Sequence, residues 1–331
     1  MKAAFINAFG PPENIQWGDL PDPKPTAKQV LVEVAAVAVN PIDTYIRAGA
    51  VSMNAPLPFV VGCDLAGTVK EVGPDVIRFK VGDRVWGSNQ GLFGRQGTFA
   101  ELAAVDEDWL YPLPEGAPFT SAAAGALVGI TAYLGLFRDA KLGHNETVFV
   151  TGGTGGVGST VVQFAKAAGA KVFTAARDAK GVQACKDLGA DGVVMYTKED
   201  LVQRVKDFAP GGVNVWFETR REPDFVATIP LLSPRGRFIL MAGREAKPEF
   251  PVGSFYTRDC RMFGFAMFNA TAEEQRECSN DINEWLVDGK YKPRIDRIMP
   301  LAESAKAHQL QEDNTLRRAG TLSGKIVLTP K

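Results

Sequence analysis

The stretch from Glu146 to Gly169 constrains the chain most, because it reads as strand, turn and helix in direct succession. Thr147-Val148-Phe149-Val150-Thr151 is β-branched and aromatic, as a buried strand needs. Gly152-Gly153-Thr154-Gly155-Gly156-Val157-Gly158 breaks that run, and Gly153, Gly155 and Gly158 keep a G-x-G-x-x-G spacing. Val157, Val161, Val162, Phe164, Ala165 and Ala168 then recur at helical intervals, and Gly169 is a plausible stop. Such a turn binds a dinucleotide pyrophosphate. The first glycine permits the tight turn, the second lets backbone amides approach phosphate oxygens, and the third lets the helix pack close to the strand. Gly153, Gly155, Gly156, Val157 and Gly158 are the expected contacts. A flexible glycine loop is the alternative. Against it, Lys171–Ala176 follows as a second strand and completes a βαβ unit with a right-handed crossover.

The end of that second strand selects the nucleotide. An acid about 20 residues past the first glycine suits a ribose hydroxyl, whereas an arginine suits a 2′-phosphate. Ala176-Arg177-Asp178 offers both. Arg177 comes first and Lys180 stands near it, which points to NADP(H). An exposed arginine without a ligand is the other reading.

The length of 331 residues makes two domains the expectation. Charge is balanced, with 37 Lys+Arg against 38 Asp+Glu, so net charge gives no nucleic-acid or membrane footprint. The longest apolar runs read as shorter than a membrane span, and the N-terminus lacks a signal-peptide core, so a cytoplasmic protein is expected. Cys63, Cys185, Cys260 and Cys278 are scattered, as free thiols would be. The two histidines, His144 and His308, are expected at the surface.

Residues 1–120 are turn-rich and strand-like. Val30–Val39, Val60–Gly73, Phe79–Trp86 and Gly97–Ala103 alternate with proline and glycine, the pattern of a small barrel. Pro41 can open a short helix over Ile42–Arg47. Beyond Phe119, strands and helices alternate: 147–151, 157–168, 171–176, 179–188, 193–195, 199–208, 213–217, 224–232 and 235–241. That order argues for a doubly wound parallel sheet. Arg261–Ala266 reads as its last strand, Ala272–Val287 as an amphipathic helix, and Lys292–Met299 and Lys325–Leu328 as strands returning to the first domain. The expected division is 1–122, 123–266 and 267–331.

Several segments together resemble one family, the zinc-free quinone oxidoreductases (zeta-crystallin-like) of the medium-chain dehydrogenase/reductase superfamily. They are Asn40–Gly49, Gly62–Gly67, Val81–Val85, Gly129–Tyr133, Gly152–Gly158, Leu188–Asp191 and Gly324–Leu328, in order and spacing from Met1 to Leu328. The resemblance implies an α/β protein with a GroES-like β-barrel catalytic domain, a doubly wound parallel-sheet Rossmann domain, a cleft between them and a homodimer. Zinc-dependent relatives place Cys, His and a further ligand in segments matching Asn40–Asp43, Gly62–Asp64 and Gly129–Thr131. Catalytic zinc needs three protein ligands. Here only Cys63 and Asp64 could serve, so no metal is expected.

Without a Lewis acid, alkoxide stabilisation is a poor fit, and hydride transfer to an already electrophilic acceptor is easier. The expected activity is NADPH-dependent reduction of a quinone or an α,β-unsaturated carbonyl. An enoyl-thioester or 2-alkenal reductase on the same scaffold is the alternative. An NADPH-binding structural or RNA-binding protein is the alternative of another class, and the lack of a basic cluster weighs against RNA.

By resemblance, Asn40 and Tyr45 face the nicotinamide. Asn40 would hydrogen-bond cofactor or substrate oxygen and Tyr45 would donate to the developing enolate or phenolate. A turn former before proline and an aromatic wall are the respective alternatives. Thr131 resembles a residue on the nicotinamide side and Tyr196 one near the adenosine phosphate. Met241-Ala242-Gly243 ends a strand at the ligand edge, and Phe265 and Met267 match a second nicotinamide segment. Arg317 or Arg318 could reach the 2′-phosphate. The family usually follows the acid after the strand Val213–Phe217 with small residues. This chain has Glu218-Thr219-Arg220-Arg221 instead, a phosphate or acidic-substrate contact or a solvated loop.

Overall fold

Short β-branched runs, cut by proline and glycine, build the first part of the chain as strands. The computed structural model describes residues 1–317 and 319–330. These strands are β1 (Lys2–Ile6), β2 (Gln16–Asp19), β3 (Gln29–Ala38), β4 (Phe59–Val60), β5 (Leu65–Val72), β6 (Arg84–Gly87), β7 (Leu102–Asp106) and β8 (Leu110–Pro112). β3 is the long central strand, antiparallel to both β5 and β7. The Val60–Gly73 run is broken at Gly62, whose φ of +103° suits glycine. A Cβ there would stand 2.0 Å from the ring of Phe99.

The alternating part of the chain supplies β9 (Thr147–Val150), β10 (Lys171–Ala176), β11 (Gly192–Met195), β12 (Val213–Glu218), β13 (Leu232–Leu240) and β14 (Arg261–Gly264). Among the described residues they form one six-stranded parallel sheet ordered β11-β10-β9-β12-β13-β14. This is the doubly wound order, with its switch point between β9 and β12. One aromatic row crosses the sheet in register. Phe173 pairs with Phe149, Phe149 with Trp216, and Trp216 with Phe238. Phe149 and Trp216 have ring centroids 4.1 Å apart. A one-residue slip would turn this row to the opposite face, so the row pins the register.

The chain then returns with β15 (Ile295–Pro300) and β16 (Lys325–Thr329), which extend the first sheet to β15-β16-β3-β5-β6-β8. One compact unit therefore holds residues 1–127, 275–287 and those from Lys292 onward, and the other holds 128–274 and 288–291. The units differ from the expected division at 123–127, which stay with the first unit, and at 267–274 and Asp288–Tyr291, which belong to the second. Tyr291 is buried there, edge-on to Phe164 at 4.7 Å, with its hydroxyl 3.2 Å from that of Thr160.

Two expectations are corrected. The helical stretch Phe119–Asp139 is long and apolar enough to span a membrane, yet 72% of its apolar window is buried inside the protein. Its composition serves the core: at Gly135 a Cβ would approach the Phe217 ring to 2.5 Å. His308 is not at the surface. It is fully buried on the helix Ser304–Thr315, edge-on to Phe99, and its ring nitrogens have no hydrogen-bond partner among the described residues. Burial, with the Arg47 charge nearby, pushes its pKa down to about 3, so it is a neutral core ring. His144 is exposed, as expected.

Candidate functional site

In the parallel-sheet unit the candidate residues follow from strand ends. The turn after β9 carries the glycines. Arg177 follows β10, Tyr196 follows β11, Thr219 and Arg220 follow β12, Met241–Gly243 follow β13 and Phe265 follows β14. All lie past the carboxyl ends of parallel strands, the edge where open α/β sheets bind ligands. Thr131 differs in setting, buried inside the helix Phe119–Tyr133, and Met267 is buried at the start of a short 3-10 turn.

Each glycine of the turn has a distinct reason. The left-handed backbone falls on Gly152, with φ +67°. A Cβ on Gly153 would lie 2.3 Å from Thr174 Oγ1, and one on Gly158 would lie 2.1 Å from the Gly152 carbonyl oxygen. Gly158 thus lets the helix Gly156–Ala167 come down on the strand. At Gly155 a Cβ would meet only the Gly152 oxygen, at 3.3 Å, so its outer face is clear for a phosphate. The opening amides of that helix have no intrahelical acceptor and carry partial positive charge, which matches a pyrophosphate.

At the end of β10 the two nucleotide signals separate. Asp178 is the N-cap of the helix Ala179–Asp187, its Oδ1 accepting from the Gly181 amide at 2.8 Å. The carboxylate is thereby turned toward its own helix. Arg177 and Lys180 stand exposed beside it, and the Arg177 carbonyl is tied by the Thr197 hydroxyl at 2.6 Å. Tyr196 is 51% exposed on the adjoining strand end. Arg317 pairs with Asp313 at 2.9 Å, and Arg318 lies outside the described residues.

The barrel unit holds a buried polar cluster. Asn40 caps the helix Pro41–Arg47, and Asp43 in its first turn accepts from the Asn40 amide at 2.8 Å. Asn40 Nδ2 donates to Asp64 Oδ2 at 2.7 Å and to the Ala38 carbonyl at 3.3 Å, while Asn40 Oδ1 accepts from Lys325 Nζ. Lys325 also donates to the Val39 carbonyl at 2.6 Å. Ser88 donates to the other Asp64 oxygen at 2.7 Å, and the Cys63 thiol donates to the Gln90 carbonyl at 3.0 Å. Burial, and then the neighbouring Asp64 charge, push Asp43 up to about 8. Burial also raises Asp64 and Cys63 and lowers Lys325.

The Asn40 side chain is fully buried, and both its donors and one acceptor lone pair are engaged inside the barrel unit, so it connects Lys325 to Asp64. Tyr45, one turn into the same helix, is partly exposed. Sequence reasoning assigned Lys325 no chemistry. The available signal was a lysine opening the apolar strand Lys-Ile-Val-Leu.

The families described as "Alcohol dehydrogenase GroES-like domain" and "Zinc-binding dehydrogenase" match residues 26–115 and 156–284. The glycine turn, the sheet order and the GroES-like unit define a medium-chain dehydrogenase/reductase. The quinone oxidoreductase of Rattus norvegicus is 32% identical over 99% of this chain and 97% of its own. The Escherichia coli quinone oxidoreductase complexed with NADPH superposes with a TM-score of 0.85 at 28% identity, covering 100% of both chains. An NAD-dependent alcohol dehydrogenase gives 0.88 at 28% identity, again over 100% of both. The chain belongs to the quinone oxidoreductase family.

A catalytic zinc, which one family description implies, does not fit the residues present. The Cys63 thiol is held protonated by burial and committed to a carbonyl, and both Asp64 oxygens accept hydrogen bonds. The Lys325 amino group already fills the cluster, donating to the Val39 carbonyl and to Asn40 Oδ1. Among the described residues no three His, Cys, Asp or Glu side chains could hold a metal ion.

Lys325→Met should leave Asn40 Oδ1 and the Val39 carbonyl oxygen buried without their donor, and Asp64 without the nearby positive charge, at a cost of about 1–3 kcal/mol. Adding Asp64→Asn should recover part of it. Thermal unfolding of the three proteins checks this, and an unchanged midpoint for the single variant contradicts it.

Proposed function

We propose that the protein is an NADPH-dependent reductase of quinones or α,β-unsaturated carbonyls that works without zinc, in the cytoplasm, as a homodimer. The observation that carries this reading is the Lys325-centred cluster: the polar groups of the catalytic segment are saturated by an ammonium and by one another, so the acceptor must bring its own electrophilicity. The glycine turn and the Arg177–Lys180 pair support NADPH as the reductant. Bound there, NADPH supplies a hydride from C4 of its nicotinamide.

The chain's own residues do the rest. Gly155 and the opening amides of the helix Gly156–Ala167 hold the pyrophosphate, with the glycines of the turn keeping side chains out of its way. Arg177 and Lys180 pair with the 2′-phosphate, and Tyr196 lines the adenosine side. Met241–Gly243, Phe265, Met267 and Thr131 flank the nicotinamide end. Tyr45 donates a hydrogen bond, or its proton, to the oxygen that becomes negative as hydride reaches the acceptor. Asn40 and Asp43 position the helix that carries Tyr45. The net change takes one hydride and one proton into the acceptor, giving a hydroquinone or a saturated carbonyl.

An NADPH-oxidation screen across quinones, enones, alkenals and enoyl thioesters tests the reading. Quinones or enones should turn over fastest, and turnover confined to thioesters would replace it. NADPH should bind at least about tenfold tighter than NADH, a difference of about 1.4 kcal/mol. Arg177→Ala should remove most of that preference, and equal affinities in the unaltered protein would contradict it. Tyr45→Phe should lower kcat with the best acceptor while the NADPH dissociation constant stays unchanged. An unaffected rate would leave Tyr45 a wall of the pocket.

A further inference from the structure

We infer that Arg220 is a binding residue for the nicotinamide-side phosphate of the dinucleotide, held ready for it by the buried carboxylate of Glu218. The inference rests on the NADPH reading above. It starts from a departure in sequence, since the loop after β12 carries arginines where small residues are expected. Glu218 ends β12 and is fully buried. Its Oε1 accepts from the Arg220 amide at 2.9 Å and from Arg220 Nε at 3.0 Å, and its Oε2 accepts from Arg220 Nη2 at 2.9 Å. The Thr151 hydroxyl and the Trp216 indole complete its partners, at 2.7 and 3.2 Å. A two-point pairing of this kind fixes the plane of a guanidinium.

The pairing uses Nε and one hydrogen of Nη2. The remaining three N–H donors lie on the opposite edge of a side chain that is 42% exposed. The segment is also stapled to the glycine turn. The Thr219 amide donates to Thr151 Oγ1 at 2.7 Å, and the Thr219 hydroxyl donates to the Thr151 carbonyl at 2.7 Å. A Cβ on Gly152 would lie 3.0 Å from Thr219 Oγ1. Arg220 is therefore one residue from a side chain that touches the turn.

Sheet order says which half of the ligand it meets. β9 lies between β10 and β12. Arg177 follows β10, so the 2′-phosphate end lies on that side. The pyrophosphate crosses the turn after β9, and the next cation along the edge, past β12, is Arg220. Its charge was prepared in the protein rather than gathered on binding, because Glu218 removes the rotamer freedom a free arginine would lose.

The test is the affinity of the full-length protein for NADPH and for adenosine 2′,5′-bisphosphate, which has the 2′-phosphate but no nicotinamide-side phosphate. NADPH is read by its fluorescence and the bisphosphate by competition. Arg220→Gln should weaken NADPH about tenfold or more, the loss of a charge-assisted contact, and leave the bisphosphate within about twofold. Arg177→Ala should weaken both. Because Arg220→Gln leaves Glu218 without its cation, the Glu218→Gln/Arg220→Gln double variant must show the same loss of NADPH. Unchanged NADPH affinity in both variants overturns the assignment. So does a raised KM for an anionic acceptor with NADPH binding intact, which would give Arg220 to the substrate instead. Failure of the unaltered protein to bind NADPH overturns the cofactor reading itself, a separate outcome.

Discussion

The helix Gly156–Ala167 can lie on β9 only because position 158 has no Cβ, which would stand 2.1 Å from the Gly152 carbonyl oxygen. That close approach is the constraint from which the parallel-sheet unit follows. It aims the opening amides of the helix past the strand end, where a phosphate is favoured. It also fixes β9 as the reference strand, with β10 and its Arg177 on one side and β12 and its Glu218–Arg220 pair on the other. The aromatic row of Phe173, Phe149, Trp216 and Phe238 then locks the strands in one register, so that their ends present side chains at one edge.

The barrel unit solves a different problem. Its buried polar cluster is built from side chains that do not fit a metal ion. Here Asn40 links Lys325 to Asp64, and Asp43 closes the helix that Asn40 begins. Attraction to Lys325 favours the charged form of both buried carboxyl groups, while burial works against charge on all three. The lysine offers no open coordination position, so it cannot polarise a carbonyl as a metal would. The chemistry left to the chain is orientation, hydrogen bonding and exclusion of water, which suits acceptors that take hydride unaided.

Much of this was legible in the sequence, for local reasons. The strand Lys171–Ala176 and the helix Ala272–Val287 end at the residues expected, because each is bounded by its own stop or cap. The glycine turn was legible because its spacing and its flanking elements agree. What could not be read depends on partners distant in the chain. Lys325 and Asn40 meet across 285 positions, and nothing near either one signals the other. His308 looked solvated because its helix is polar, and only packing against Phe99 makes it a core ring. Arg220 showed up as an oddity of composition. Its meaning came from Glu218, which reads in sequence as the acid after the strand Val213–Phe217 and in the structure is the fully buried end of β12.

A reductase whose acceptor needs no metal to activate it keeps its turnover when zinc is removed. The most direct measurement compares zinc content with quinone turnover before and after exhaustive chelation. Turnover should persist unchanged in protein holding far less than one zinc per chain. Activity that disappears with the zinc and returns on adding it back would contradict the account.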